Sequence, residues 1–291
     1  MHLYLNGKIL PEKEAHLSVH DHGFLYGAGG FETFRTFGGR VFRLEHHLAR
    51  LRGCCERLRI HPPPESLLNT GKLPEAIEKL LHRNNLEDSV FRLTLSGGPV
   101  SGGLPREAYR HPTELLVPRP LPRTGSDPVG LHLLRTRRNT PEFDPRPKSP
   151  AYLNSLAGHL EMVDRGIPPG DEGLMLSERR TLAEGVTTNL FLAKDGRLIT
   201  PAPAEGILPG ITRGFVFETA ERLEIPVRES TCRIDDLEHA EAVFLTNAVR
   251  GLVPVRSLFD INGSLIRDVD TPANHVFQSL HAAYTKATKI Y

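Results

Sequence analysis

Short stretches in which apolar and polar residues alternate occur along the whole chain, and this pattern is typical of strands with one buried face. The stretch "HLYLNGKIL" (2–10) alternates on both sides of an Asn-Gly pair and predicts a β-hairpin. The stretch "FETFRTFGGRVFRL" (31–44) does the same around a Gly-Gly pair. Further strands are predicted in "SVFRLTLSGG", "TELLVPRPLP", "VGLHLLRT", "EGLMLSE" and "AVFLTN", and "NLFLAKDGRLITP" predicts a hairpin with its turn at Lys194, Asp195 and Gly196.

Four other segments are predicted to be helices, and the first of them carries apolar residues at three- and four-residue spacing, which predicts an amphipathic helix. In segment 44–60 the apolar face consists of Leu44, Leu48, Leu51, Cys55 and Leu58. The other helices are predicted in "LPEAIEKLLHRNNL", where Pro74 lies in the first turn, in "AYLNSLAGHLEMVDRG", which Gly166 ends, and in "ITRGFVFETAERL". The sequence therefore mixes strands and helices throughout.

A proline-rich segment, residues 118–130, divides the chain into two parts of this mixed kind. We therefore predict an α/β (α+β) protein with a small N-terminal domain (1–117), a linker (118–130) and a larger C-terminal domain (131–291). A length of 291 residues suits two domains.

Charge and composition narrow the possible partners. The formal net charge is +1, so no basic surface favours nucleic acid or an anionic membrane, and a small molecule is the expected partner. The N-terminus lacks the pattern of a signal peptide, and a cytoplasmic location is expected. Cys54, Cys55 and Cys232 lack the spacing of a zinc site, so we expect reduced thiols and no metal.

Lys148 stands out because arginine supplies most of the positive charge. Only eight of the 36 basic residues are lysine, and Lys148 is the only lysine between Lys79 and Lys194. A primary amine can condense with an aldehyde, whereas a guanidinium cannot. This chemistry suggests pyridoxal phosphate, whose phosphate and ring nitrogen would need partners of their own.

Several residues offer such partners, and each also has a purely structural interpretation. Gly210, Ile211 and Thr212 begin a predicted helix whose N–H groups suit a phosphate, although an ordinary helix start has the same form. Glu184 suits a protonated ring nitrogen, but a solvated glutamate in a turn between strands explains it equally. Arg50 is either a phosphate ligand or a surface charge.

Two polar clusters complete the candidates. Thr246 and Asn247 end a predicted strand, a position where α/β proteins often bind ligands. His20, Asp21 and His22 lie in a loop at the start of a glycine-rich segment, and their alternate spacing favours surface or structural roles over metal binding.

Six segments in one order resemble the fold type IV pyridoxal-phosphate enzymes, the class-IV aminotransferase family. They are "DHGFLYGAGGFETFR", "EHHLARL", "KSPAYLNS", "EGVTTNLF", "ILPGITR" and "FLTNAVRGLVPV", and they extend from residue 21 to 255. The resemblance implies two domains with the cofactor between them, a small-molecule amino substrate, and a homodimer whose loops complete each site.

The resemblance also implies roles for individual residues. Lys148 matches the Schiff-base lysine, Glu184 the glutamate on the ring nitrogen, and Tyr152 a tyrosine on the phenolic oxygen. The cofactor phosphate is assigned to Arg50, Ile211, Thr212, Thr246, Asn247 and Ala248.

The features that separate the family's reactions favour one of them. Phe31 stands where D-amino-acid aminotransferases have a tyrosine, and Ser96 and Gly97 stand where those enzymes have a carboxylate-binding arginine. With "TNAVRG" and "RRNTPE", the chain looks most like the lyases that convert 4-amino-4-deoxychorismate to 4-aminobenzoate and pyruvate. An aminotransferase for branched-chain or D-amino acids or amines, and an inactive small-molecule-binding homologue, are the alternatives.

Overall fold

A computed structural model describes residues 1–122 and 127–289. The chain divides into two compact units. Among the described residues, the first unit comprises 1–122, 147–152 and 288–289, and the second comprises 127–146 and 153–287. Residues 123–126, in the middle of the predicted linker, lie outside the described residues, and the three predicted domain ranges stay predictions.

The first unit is built on a six-stranded antiparallel sheet in the order β2-β1-β6-β5-β3-β4. Its strands are β1 (His2–Leu5), β2 (Lys8–Pro11), β3 (Gly29–Phe37), β4 (Arg40–Val41), β5 (Val90–Ser96) and β6 (Thr113–Arg119). Its helices are α1 (His22–Tyr26), α2 (Leu44–Arg57), α3 (Leu67–Thr70) and α4 (Leu73–Arg83), and a 3-10 turn spans Glu12–Glu14. Both predicted hairpins and both predicted helices are confirmed.

The core of this unit lies between the sheet and helices α2 and α4. Leu48 and Leu51 of α2 pack with Phe34 of β3 and Phe91 of β5, and all four are buried. Gly30 is buried on β3, and a Cβ atom there would lie 2.8 Å from the Cys54 sulfur. The absence of a side chain therefore lets α2 pack directly on the strand.

The second unit contains a nine-stranded mixed sheet in the order β12-β11-β10-β13-β14-β7-β8-β9, with β15 also paired to β14. Its strands are β7 (Val129–Leu133), β8 (Glu172–Leu176), β9 (Leu182–Gly185), β10 (Asn189–Lys194), β11 (Arg197–Pro201), β12 (Val227–Ser230), β13 (Ala242–Asn247), β14 (Gly251–Phe259) and β15 (Leu265–Asp268). The pairs β11/β12, β14/β7 and β7/β8 are parallel.

The remaining helices are α5 (Leu153–Asp164), α6 (Ile211–Arg222), α7 (Ile234–Glu238) and α8 (His275–Lys289), with 3-10 turns at Pro203–Glu205 and Thr271–Ala273. The predicted α/β fold class is thus confirmed, and so are the predicted helices α5 and α6. No helix in the described part of the chain combines the length and apolar character needed to cross a bilayer.

Two local predictions were wrong. The glycine-rich loop after Asp21 contains the short helix α1, because the Asp21 carboxylate accepts a hydrogen bond from the Gly23 N–H and caps it. Glu184 lies within strand β9 rather than in a turn between strands. The strand was missed because it is short and ends at a glycine.

Candidate active site

The segment that carries Lys148 lies beside strand β3. The Phe31 N–H donates to the Lys148 carbonyl over 2.8 Å, and the Ser149 hydroxyl donates to the Gly27 carbonyl over 3.1 Å. Gly27 has φ +67°, and a Cβ atom there would lie 3.1 Å from the Ala151 backbone nitrogen. The glycine therefore permits both the left-handed turn and the close approach that fix this segment.

The Lys148 amine lies against an aromatic ring that a second cation also contacts. Its Nζ atom is 4.7 Å from the centre of the Phe31 ring, and the Arg92 guanidinium carbon is 3.6 Å from that centre. Tyr152 meets Phe31 edge to face at 5.8 Å. Lys148, Phe31 and Tyr152, which the sequence suggested separately, are thus close together. Sequence reasoning missed Arg92, whose signal was a charged residue inside the otherwise apolar and small-polar strand "VFRLTLS".

Arg50 is fixed by a carboxylate that sequence reasoning also missed. Arg50 donates from Nε to Glu32 Oε1 and from Nη2 to Oε2, both over 2.7 Å. His47 Nδ1 lies 2.7 Å from the same Oε2 atom. Glu32 is fully buried on β3, and an acidic residue inside the apolar run "FETF" was the available signal.

The ionisation of this cluster follows from its geometry. Burial alone would raise the pKa of Glu32, but the Arg50 charge and the hydrogen bonds from Arg50 and His47 outweigh burial and lower that pKa to about 2. Burial lowers the pKa of His47, and the charges of Arg50 and Lys148 lower it further, against the opposing effect of Glu32. The cluster therefore contains an ionised Glu32, a charged Arg50 and a neutral His47.

In the second unit, Glu184 is buried on β9 and held at both carboxylate oxygens. Arg138 Nε donates to Oε1 over 2.8 Å, and the Asn189 side chain and the Leu208 N–H donate to Oε2 over 3.0 Å each. Burial raises the pKa of Glu184, while the Arg138 charge and the Leu208 hydrogen bond oppose that rise. Arg138 is itself held by the Asn154 side chain at 2.8 Å.

The predicted phosphate-binding helix start lies next to this carboxylate. Asn189 also donates to the Leu208 carbonyl over 2.8 Å, and so fixes the loop that leads to Gly210. A Cβ atom at Gly210 would clash with the Asn189 side-chain oxygen, which the two hydrogen bonds of that side chain hold in place, so this position favours glycine. Helix α6 then begins at Ile211, with Gly210 as a cap that offers no side chain to its N–H groups.

Strand β13 brings Thr246 beside the same region, because Thr246 pairs in register with Asn189 of β10. The Thr246 hydroxyl is buried and has no hydrogen-bond partner among the residues that the structure describes. The Asn247 side-chain oxygen accepts from the Val249 and Arg250 N–H groups at 3.0 and 2.7 Å. Asn247 therefore shapes the turn that contains Ala248. Asn189 links the elements that carry Glu184, Thr212 and Thr246, because it pairs with Thr246 and its side chain contacts both Glu184 and the loop before helix α6.

Ser96 and Gly97 serve local structure in the first unit. The Ser96 hydroxyl donates to Asp21 over 2.9 Å, and a Cβ atom at Gly97 would lie 2.6 Å from the Tyr109 ring. Asp21 also accepts from the Thr113 hydroxyl at 2.6 Å. Within the described ranges, no three His, Cys, Asp or Glu side chains are grouped to hold a metal ion, and all three cysteines are free and buried.

Comparison with known proteins gives one consistent family. Residues 29–258 match the family model described as amino-transferase class IV. The chain is 35% identical to the aminodeoxychorismate lyase of Bacillus subtilis (strain 168), over 89% of this chain and 87% of that protein. It is 34% identical to a putative branched-chain-amino-acid aminotransferase of Methanocaldococcus jannaschii, over 92% and 90%.

A solved structure gives the same result for the fold. The branched-chain amino acid aminotransferase of T.th., determined with pyridoxamine 5'-phosphate, superposes with a TM-score of 0.82. The match covers 99% of this chain and 94% of that chain at 26% identity. The relatives therefore include both a lyase and aminotransferases.

Proposed function

Because the chain belongs to the class IV aminotransferase family, we propose that it is a lyase that converts 4-amino-4-deoxychorismate to 4-aminobenzoate and pyruvate. It is an enzyme of a family whose cofactor is pyridoxal phosphate. The observation that carries the proposal is the Lys148 amine, which lies against Phe31 in the cluster that also contains Arg92.

The chemistry of the described residues fits that cofactor. Helix α6 begins with N–H groups that its cap residue does not satisfy, and such a helix start suits a phosphate. The buried Thr246 hydroxyl has no partner among the described residues, and a phosphate oxygen would supply one. The Glu184 carboxylate is buried and hydrogen-bonded, as a partner for a protonated ring nitrogen must be.

Each residue then has a defined task. Pyridoxal phosphate, when bound, supplies an aldehyde carbon that a lysine amine can bind and a ring that accepts electrons from the substrate. Lys148 attaches the cofactor and, once the substrate amine has displaced it, moves the substrate proton. Glu184 holds a proton at the ring nitrogen, and Tyr152 orients the phenolic oxygen.

Each unit offers phosphate ligands of its own. The first unit offers the charge of Arg50, and the second offers the backbone N–H groups at the start of helix α6. Thr246 adds a hydroxyl. Asn247 and Ala248 shape the adjoining turn, as the hydrogen bonds of Asn247 indicate.

Arg92 supports a substrate that carries a carboxylate near its amino group. Its guanidinium stacks on the Phe31 ring that Lys148 also contacts, so a cation lies near the reacting amine. The enolpyruvyl carboxylate of 4-amino-4-deoxychorismate is such a group, and so is the carboxylate of an α-amino acid, so Arg92 fits both candidate reactions. Cleavage of the enol ether C–O bond of 4-amino-4-deoxychorismate forms an aromatic ring and releases pyruvate, and no second substrate is needed to balance the reaction.

The second candidate is an aminotransferase that acts on branched-chain amino acids. It is supported by the Methanocaldococcus jannaschii relative, whose identity of 34% is close to the 35% of the lyase. Both reactions would use Lys148, Glu184 and the same phosphate contacts. They differ in the need for an amino acceptor, since only transamination requires a 2-oxo acid.

The need for an acceptor provides the test. Purified protein with pyridoxal phosphate is incubated with 4-amino-4-deoxychorismate, and pyruvate and 4-aminobenzoate are measured with and without added 2-oxo acid. Stoichiometric release of both products without an acceptor supports the lyase. Transfer of the amino group from L-leucine or D-alanine to a 2-oxo acid, with no release of pyruvate from 4-amino-4-deoxychorismate, would contradict it.

A homodimer in the cytoplasm remains part of this proposal. One observation that supports self-association is an exposed apolar stripe on helix α5. Its members are spaced three and four residues apart, and they are Leu153, Leu156, Leu160 and Val163. Sedimentation of the purified protein tests it, and a monomer at micromolar concentration would contradict it.

A further inference from the structure

The carboxylate of Glu32 is a charged group placed inside an apolar layer. Its side chain has no exposed surface, and its strand neighbours Phe31 and Phe34 are also buried. A buried charge is costly unless it is paired, and apolar residues of similar size usually serve a core at least as well. The apolar core therefore gives no reason for a glutamate at this position, and only its pairing with Arg50 and His47 makes the charge favourable there.

The geometry at Glu32 controls the direction of one side chain. Both carboxylate oxygens accept from the Nε–Nη2 edge of Arg50, each over 2.7 Å. A planar guanidinium bound along one edge by a carboxylate has a fixed plane and a fixed direction for its remaining atoms. Arg50 thus has a defined orientation on helix α2, which a single contact would not give.

The carboxylate is itself held in place. His47, one turn before Arg50 on α2, lies with Nδ1 2.7 Å from Glu32 Oε2, and its ring packs edge to face on Phe34. The ring stays neutral because burial lowers the pKa of His47. Neutral His47 therefore adds a hydrogen bond to the carboxylate without adding a charge near Arg50.

We propose that Glu32 is a positioning residue that orients Arg50 for the phosphate of the cofactor. This inference rests on the proposed function, in which Arg50 binds that phosphate. The carboxylate acts through Arg50 and touches neither cofactor nor substrate.

Two physical effects of Glu32 oppose each other, so the sign of a measured change discriminates between them. Orientation of the guanidinium favours phosphate binding, because little freedom is then lost when the ligand binds. The negative charge of Glu32 works against binding, because it partly neutralises Arg50 and repels a dianion. If orientation dominates, removal of the charge weakens binding, and if neutralisation dominates, removal strengthens it.

The experiment compares two ligands that differ only in the phosphate. Dissociation constants of pyridoxal phosphate and of pyridoxal are measured by absorbance titration of the cofactor-free full chain. We expect Glu32→Gln to weaken the binding of pyridoxal phosphate about tenfold and to leave the binding of pyridoxal unchanged. Glu32→Gln combined with Arg50→Lys should bind no more weakly than Arg50→Lys alone, because both changes remove the same contact.

Two further variants separate positioning from general damage. Glu114→Gln alters another buried carboxylate of the same unit, one that accepts from Tyr4 and Ser66, and it should leave both constants unchanged. Glu32→Asp keeps the charge but shortens the side chain, and it should show the same selective loss even where Glu32→Gln fails to fold.

Three results would overturn the proposal. Glu32→Gln and Glu32→Asp could bind pyridoxal phosphate as tightly as the wild type, or more tightly. They could also lose affinity for pyridoxal and for pyridoxal phosphate by the same factor. Failure of the wild type itself to bind pyridoxal phosphate would instead contradict the proposed function, so the two claims fail separately.

Discussion

The ion pair of Glu32 predicts a stability contribution that depends on pH, and Glu32→Gln measures it. The pKa of Glu32 is lowered from 4.5 to about 2 in the folded protein. Each pKa unit corresponds to about 1.4 kcal/mol, so the charge contributes about 3 kcal/mol at neutral pH. The side chain is fully buried, so solvent does not screen this contribution.

The direction of the pH dependence follows from the lowered pKa. A carboxyl group with a lower pKa in the folded state stabilises the protein fully above its unfolded pKa, here 4.5. The contribution is lost as the pH falls through about 2, the folded value. About 1 kcal/mol should remain at pH 3.

The assay is urea denaturation of the cofactor-free protein at pH 7 and pH 3. Glu32→Gln should be less stable than the wild type by about 3 kcal/mol at pH 7 and by about 1 kcal/mol at pH 3. Glu75→Gln is the matched control, since Glu75 also forms a short ion pair, with Lys79 at 2.6 Å, but on the exposed face of α4. It should change stability much less.

Two results would refute this reasoning. One is an equal loss of stability at both pH values, which would mean that the charge of Glu32 is not responsible. The other is a loss at pH 7 no larger than that of Glu75→Gln.

Three other predictions test the packing and the site. Gly30→Ala should lower the free energy of unfolding by about 1–3 kcal/mol, because the added carbon would lie 2.8 Å from the Cys54 sulfur. Gly103→Ala, with open space around it, should lower it far less, and the urea midpoints of the two variants test the comparison. Thr246→Val should have the urea midpoint of the wild type within error, and it should bind pyridoxal phosphate about tenfold more weakly. Unchanged affinity would contradict the assignment of Thr246 to the phosphate. Glu184→Gln should lower kcat by about a hundredfold or more. A rate equal to that of the wild type would contradict the role assigned to Glu184, which is to hold a proton at the ring nitrogen of the cofactor.

The sequence was informative wherever a local pattern determines structure. Alternation and turn residues predicted both hairpins of the first unit and the hairpin of β10 and β11. Helical spacing predicted α2, and proline near the start of α4 marked that helix correctly. Helix α8 was not predicted.

The contacts that hold the candidate site depend on distant residues. Arg138 binds Glu184 across 46 positions of sequence, and Asn189 reaches both Glu184 and the loop before α6. No spacing rule predicts such partners, because the sheet brings them together. For Glu32 and Arg50, which are 18 residues apart, the acidic residue within an apolar strand was the only local signal.

The central claim is that the Lys148 amine binds the aldehyde of pyridoxal phosphate. The most direct test is reduction of the purified protein with borohydride, followed by proteolysis and mass spectrometry of the peptides. The proposed function predicts a phosphopyridoxyl group on Lys148, and none on the protein after Lys148→Ala. A reduced adduct on any of the seven other lysines, or an adduct that survives Lys148→Ala, would contradict it.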